Sequence, residues 1–253
     1  MLSKSLLKLI KSLELRKFRK ENALFVAEGG KTVQDLLDLG LESTNIIATE
    51  EWMKNHRLNT RIPITVVSEE EMKKASFLRT PQGVLALFRQ QQHEIDLSAP
   101  ERELCLALDN VQDPGNIGTI IRIADWFGIE NIYCSNGCVD IYNPKTVQAT
   151  MGAIARVNVH YTPLPDLIQS LGDTPIYGTF LDGDSIYKQS LSEHGLIVMG
   201  NEGNGISQPV AALINRKLLI PNYPEGCATS ESLNVAIATA VVCAEFRRTA
   251  SLK

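Results

Sequence analysis

The sequence predicts an α/β protein whose larger, C-terminal part holds a mostly parallel sheet. Short apolar runs alternate with amphipathic stretches along most of the chain, the pattern of strands and helices in alternation. The run LCLALDNV is apolar at nearly every position, as a strand buried on both faces must be. A polar stretch without sustained apolar period, QQHEIDLSAPERE at 91–103, separates two such alternating parts and reads as a linker. The expected division is therefore a small α/β domain over 1–90 and a larger domain over 104–253.

In the first part, residues 2–18 place Leu2, Leu6, Leu9 and Leu13 at helical spacing and predict one amphipathic helix. ALFVAEG (23–29) reads as a strand and KTVQDLLDLG as a helix that ends at Gly40. NIIATE and ITVVSEE are strands with a helix near 50–57 between them. Ser68, three residues before Glu71, forms a capping-box pattern that starts the next helix, and GVLALFRQ (83–90) closes the part as a strand.

In the second part, LCLALDNV is followed by an amphipathic helix, IGTIIRIADWFGI, ending near Gly128, and by strand NIYCS. Then come a helix near 144–153, strand ARVNVHY, a helix over 164–171, strands PIYGTFL and GLIVMGN, a helix over 208–214 and strand KLLIPN. A last long helix runs from about 231 to 248.

Composition excludes several classes. With 44% hydrophobic and 21% charged residues the chain supports a core and is not disordered. No apolar run approaches the roughly 18 residues of a membrane span. Lys or Arg recurs too often at the N-terminus for a secretory leader. The odd, scattered set Cys105, Cys134, Cys138, Cys227 and Cys243 suits reduced thiols in a cytoplasm. Cys134 and Cys138 lack a His or third Cys at zinc spacing, so no metal is expected.

Net charge is −4, so any nucleic-acid contact must rest on charge distribution rather than on the total. The first twenty residues carry Lys4, Lys8, Lys11, Arg16, Lys17, Arg19 and Lys20 against one acid, Glu14. This is either a solvated helix face or a local phosphate-binding surface.

Familiar catalytic patterns are missing. Gly29-Gly30-Lys31-Thr32 lacks the earlier glycine of a phosphate-binding loop, because position 25 is Phe. No G-x-G-x-x-G follows a strand in a dinucleotide-binding context, and neither G-x-S-x-G nor H-E-x-x-H occurs. His56, His93, His160 and His194 are isolated.

Three glycine-rich turns remain. LDNVQDPGNIGTIIRIADWFGI (108–129) is a strand, a polar turn and a helix bearing Asn116 and Arg122. IVMGNEGNGIS (197–207) is a strand and a glycine-spaced loop holding Glu202. IPNYPEGCATSESLNVAIATAVVCAEFRR (220–248) is a strand, a loop, and Ser232-Leu233-Asn234 opening a helix. Singly, each is an ordinary strand-to-helix turn. In this order they resemble the three motifs of the SpoU/TrmH family, a branch of the SPOUT methyltransferases. LFVAEGGKTVQDLL is similar to the family's accessory RNA-binding domain, which has a ribosomal-protein-like fold.

The resemblance implies a C-terminal sheet threaded into a deep trefoil knot. It implies transfer of a methyl group from S-adenosylmethionine to a ribose 2′-hydroxyl of ribosomal or transfer RNA. Gly200, Ile220 and Leu233 are implied cofactor contacts, with Gly203 and Gly205 leaving room for close backbone approach. Arg122 is implied at the reacting ribose and its phosphate. A guanidinium normally donates only, which favours a positioning role over that of general base. Asn116 and Asn234 would orient Arg122 or the ribose, Glu202 would fix Arg122 or loop amides, and Ser232 would bond near the substrate. Arg122 is expected buried or half-buried, because Ile117, Ile120, Ile121 and Ile123 surround it in sequence. A homodimer is implied, its interface including the apolar face Leu233, Ile237, Ala240, Val241 and Ala244.

Some positions depart from the family pattern. The segment between Pro221 and Ser232 is longer than usual, Asn222 stands where Met is common, and Ala236 replaces a frequent Ser. The alternative from another class is a non-catalytic RNA-binding or assembly protein on the same fold. Asn116, Arg122, Glu202 and Asn234 are all present, which argues against it.

Overall fold

A computed structural model describes residues 1–224, 227 and 232–250 of the 253. The expected helix start at 231 and part of the 221–231 loop lie outside the described residues. The chain forms two compact units, Met1–Gln92 with Asp140–Arg156, and His93–Val139 with Val157–Lys253.

The first unit opens with α1 (Lys4–Ser12) and α2 (Arg16–Asn22), two helices where the periodicity predicts one. The break has a specific cause. The Arg19 guanidinium, 2% exposed, donates to the carbonyls of Leu13 and Glu14 at 2.8 and 2.7 Å. These carbonyls, at the end of α1, would otherwise lack partners. Arg19 also donates through Nε and Nη2 to Asp140 at 2.9 and 2.6 Å. It is an internal strut, which corrects its place in the basic cluster. Lys4, Lys8, Lys11, Arg16, Lys17 and Lys20 are exposed.

Next come β1 (Leu24–Glu28), α3 (Gly30–Asp38), β2 (Ser43–Thr49), α4 (Glu50–Asn55), β3 (Ile64–Val67), α5 (Glu69–Ala75) and β4 (Val84–Arg89). The strands form one sheet in the order β1-β4-β2-β3, with only β2 and β3 parallel. The capping box is present: Ser68 Oγ accepts from Glu71 N–H, and the Glu71 carboxylate accepts from Ser68 N–H. The returning segment 140–156 packs its helix, Pro144–Thr150 (α7 in chain order), on β1. Tyr142 packs on Phe25 with ring centroids 4.9 Å apart and ring planes tilted by 32°.

The second unit holds β5 (Leu104–Leu108), α6 (Pro114–Trp126), β6 (Asn131–Cys134), β7 (Asn158–Tyr161), α8 (Leu164–Ser170), β8 (Ile176–Ser185), β9 (Gly195–Met199), α9 (Gln208–Ala211), β10 (Arg216–Leu219) and α10 (Val235–Ala250). Six parallel strands run in the order β10-β8-β9-β5-β6-β7. β5 lies centrally and all five of its residues are buried, as its continuous apolar run requires. From β5 the chain winds outward to β6 and β7, then crosses back to β8 and β9 on the other side. This reversal is a topological switch point, where open α/β sheets bind ligands beyond the carboxyl ends of their strands. The loops that follow β5, β9 and β10 are the three glycine-rich segments.

Removing one partner of a buried ion pair strands the other charge, at a cost of about 3–5 kcal/mol. Arg19→Ala should lower the unfolding free energy of the first unit by that amount in chemical denaturation, whereas Lys17→Ala should change it by about 0.5 kcal/mol or less. The Lys17–Glu21 pair, 3.8 Å apart, is exposed.

Candidate active site

The first glycine-rich segment becomes a capped helix. The Asp113 carboxylate accepts from Asn116 N–H at 2.8 Å, and Pro114 occupies the first helical turn, where its missing N–H costs nothing. The capped turn holds the Asn116 side chain free of its own backbone. Its Nδ2 donates to Glu202 Oε1 at 2.7 Å, and its Oδ1 accepts from Asn234 Nδ2 at 2.9 Å. Asn234 in turn caps α10, its Oδ1 accepting from the N–H groups of Ala236 and Ile237. One amide thus joins all three segments, which lie 86 and 118 residues from Asn116 in sequence.

Beside this junction is a cavity of about 490 Å³. Gly200, Gly203, Gly205, Ile220, Ser232, Leu233 and Glu202 all line it. Gly200 is required there, because a Cβ at that position would sit 2.2 Å from the carbonyl carbon of Gly205. Residues 200–205 form one side, and Ile206, Leu219, Ile220 and Leu233 supply apolar surface.

A third wall, Thr179-Phe180-Leu181, escapes the sequence reading. These residues belong to β8, which is 10 residues long, and they bulge from the pairing register. Lys217 pairs with Gly178 and the next residue, Leu218, with Asp184. Periodicity marks PIYGTFL as an ordinary strand and carries no sign of the excursion. Leu181 is left 79% exposed on the cavity wall. Asn201, which also lines the cavity, is likewise unanticipated.

Arg122 differs from its expectation. It is exposed rather than buried or half-buried, and no hydrogen bond or ion pair engages it among the described residues. The helix turns its core side, with Ile117, Ile120, Ile121 and Ala124, the other way. Arg122 shares its outward stripe with Trp126, one turn on and 84% exposed. The expected dimer face is also open in the single chain, with Leu233 49% and Ile237 55% exposed. α10 nevertheless packs on α6, and Arg247 donates to the carbonyls of Phe127 and Gly128, which end α6. Cys134 and Cys138 are buried, and Cys138 Sγ donates to Leu108 O. Among the described residues no group of three or more His, Cys, Asp or Glu could hold a metal ion.

Comparison with known proteins agrees with this fold. The model of the SpoU rRNA methylase family matches residues 103–244, and that of the MRM3-like substrate binding domain matches residues 4–86. The 23S rRNA (guanosine(2553)-2′-O)-methyltransferase RlmP of Bacillus subtilis is 30% identical over 240 residues, 94% of each chain. A TrmH-family structure from Porphyromonas gingivalis is 38% identical, with a TM-score of 0.86 over 98% of this chain and 99% of its own. An AdoMet-bound rRNA methyltransferase from Sinorhizobium meliloti is 29% identical, with a TM-score of 0.82 over 98% of this chain and 96% of its own. The fold is that of the SpoU/TrmH methyltransferases, and the chain is an S-adenosylmethionine-dependent RNA 2′-O-methyltransferase. The chain belongs to the SpoU rRNA methylase family.

Proposed function

We propose that this chain methylates a ribose 2′-hydroxyl of ribosomal RNA, with the glycine-walled cavity as its S-adenosylmethionine site. The observation that carries this reading is the Asn116 junction, which fixes Glu202 and Asn234 beside that cavity. The ribosomal target rests on the Bacillus subtilis relative, whose name specifies 23S rRNA. We place the protein in the cytoplasm, where its thiols stay reduced, and assign the family's knotted threading to its C-terminal sheet.

The cavity suits the cofactor. Its apolar wall fits a purine, the polar side chains of Glu202, Asn204 and Ser232 along it fit polar groups, and Gly200 permits close packing of the loop. When bound, S-adenosylmethionine supplies an electrophilic methyl group on a sulfonium. The chain's own residues must then align the ribose oxygen and receive its proton. Alignment contributes roughly 7–11 kcal/mol in favourable cases.

Glu202 is the only ionisable side chain among the described residues that line the cavity. One of its carboxylate oxygens is held by Asn116, and the other has no partner among the described residues. We assign the second oxygen as proton acceptor, since a guanidinium is a donor only. Arg122, exposed and unengaged, is assigned to the RNA phosphate. A planar fork that bonds two phosphate oxygens together does this better than an ammonium. Ser232, which lines the cavity, and Asn234, two residues on, are assigned as hydrogen-bonding partners for the ribose.

The open apolar stripes of α6 and α10 are assigned to a homodimer, whose formation would cover Trp126, Leu233 and Ile237. Lys4, Lys8, Lys11, Arg16, Lys17 and Lys20 are assigned to sequence-independent phosphate contact.

Mapping of 2′-O-methyl sites in ribosomal RNA with and without the gene tests the activity; loss of one site is expected, and an unchanged map refutes the target. In single-turnover assays Glu202→Gln should cut the rate about 10²–10⁴-fold. Glutamine still accepts from Asn116 but takes no proton, so cofactor binding should be retained while the rate is lost. Arg122→Lys should recover little of the activity lost in Arg122→Ala, while both bind cofactor normally. Light scattering should give a dimer mass for the wild type and a monomer mass for Ile237→Glu. Neutralising the six exposed cations should flatten the salt dependence of RNA binding; an unchanged slope would make them a solvated face.

A further inference from the structure

The loop that lines the cavity is fastened to the first glycine-rich segment at two points that the methyl-transfer chemistry does not use. Asp109, at the carboxyl end of β5, is 2% exposed. Its Oδ2 accepts from Ser207 N–H at 2.7 Å, and its Oδ1 accepts from Asn110 Nδ2 at 2.8 Å. Asn110 adopts a left-handed backbone, φ +57°, with its N–H donating to Ser135 Oγ at 2.9 Å. Its side chain presses on Gly137, where a Cβ would stand 2.0 Å from Asn110 Oδ1. The turn is therefore held rigidly, and it presents its carbonyl to the loop. Asn201 Nδ2 donates to that carbonyl at 2.8 Å.

Asn201 divides its hydrogen bonds between two tasks. Its Oδ1 accepts from the N–H groups of Gly203 and Asn204, and its backbone exchanges two bonds with Gly205, all within the loop. These bonds shape the loop. The bond from Nδ2 to Asn110 leaves the loop and so determines only where the loop stands. Glu202, Gly203 and Gly205 lie between the two fastenings, Asn201 at one end and Ser207 at the other, and Gly200 directly precedes the first.

We infer that the Asp109-Asn110 turn is the clamp that sets the position of the cofactor loop, and that Asn201 is a positioning residue for methyl transfer, acting through Glu202 and the glycine wall. This rests on the assignment of the cavity to S-adenosylmethionine. A loop that keeps its shape but loses its position offers the cofactor a displaced wall and Glu202 a stretched bond to Asn116.

Two substitutions cut the fastenings separately. Asn201→Asp keeps the acceptor that shapes the loop but sets a carboxylate oxygen against the Asn110 carbonyl. Ser207→Pro removes the N–H that Asp109 accepts, at a residue whose φ of −61° already suits proline. In each full-length variant the dissociation constant for S-adenosylmethionine, by calorimetry, should rise about tenfold, as loss of roughly one hydrogen bond implies. Single-turnover rate at saturating cofactor should fall at least about tenfold, while KM for RNA stays within about twofold.

If Asn201→Asp fails to fold, by melting temperature and near-ultraviolet circular dichroism, Ser207→Pro alone decides. Folded variants with cofactor affinity and rate within about twofold of the wild type overturn the inference. So does a loss confined to melting temperature, which would make the clamp structural. Wild-type protein that binds no S-adenosylmethionine overturns the cavity assignment, and with it this inference, and is distinguished from the other outcomes by needing no variant.

Discussion

The second unit depends on what one side-chain amide does. An asparagine donates through nitrogen and accepts through oxygen, so Asn116 can hold a carboxylate on one side and another amide on the other. Aspartate in its place would set two carboxylates within hydrogen-bonding distance, and a hydrophobic residue would leave Glu202 without its partner. The junction forms because Asp113 and Pro114 settle the backbone of the first helical turn by themselves, leaving the Asn116 side chain for long-range contact. A local rule of helix capping thus supplies the anchor for a tertiary site.

The parallel sheet makes that anchor useful. All six strands point the same way, so the loops after β5, β9 and β10 gather along one edge. The order reverses beside β5, which opens a crevice there without any special residue. Local crowding then shapes the crevice. Gly200 lets the loop fold back on Gly205, and the bulge in β8 carries Thr179-Phe180-Leu181 out to form the far wall. The cavity is a consequence of topology, refined by one glycine and one irregular strand.

Charge follows a similar division. Arg19 and Arg122 look alike in sequence as cations on amphipathic helices, and the structure assigns them opposite fates. Arg19 is drawn inward because the α1 terminus offers two carbonyls and Asp140 offers a carboxylate, which together meet the demands of a buried guanidinium. Arg122 has apolar neighbours in sequence, yet the helix turns those toward the core and leaves the arginine in water. Sequence adjacency says little about burial when successive residues on a helix are about 100° apart.

The sequence by itself determined the α/β class, the strands of the parallel sheet, the Ser68–Glu71 capping box and the identity of the three loops, because each rests on local spacing or on a motif contained in one short segment. It also named part of the cavity wall, namely Gly200, Glu202, Gly203, Gly205, Ile220, Ser232 and Leu233, through motifs that resemble those of a known family. Tertiary structure alone decided the split of the N-terminal helix by Arg19, the packing of residues 140–156 on β1, the outward aspect of Arg122, the wall supplied by the β8 bulge and the fastening of Asn201 to Asn110. Each of these depends on a partner tens of residues away, or on which side of a helix meets the core. Periodicity reports that a face exists; only the assembled chain settles what that face meets.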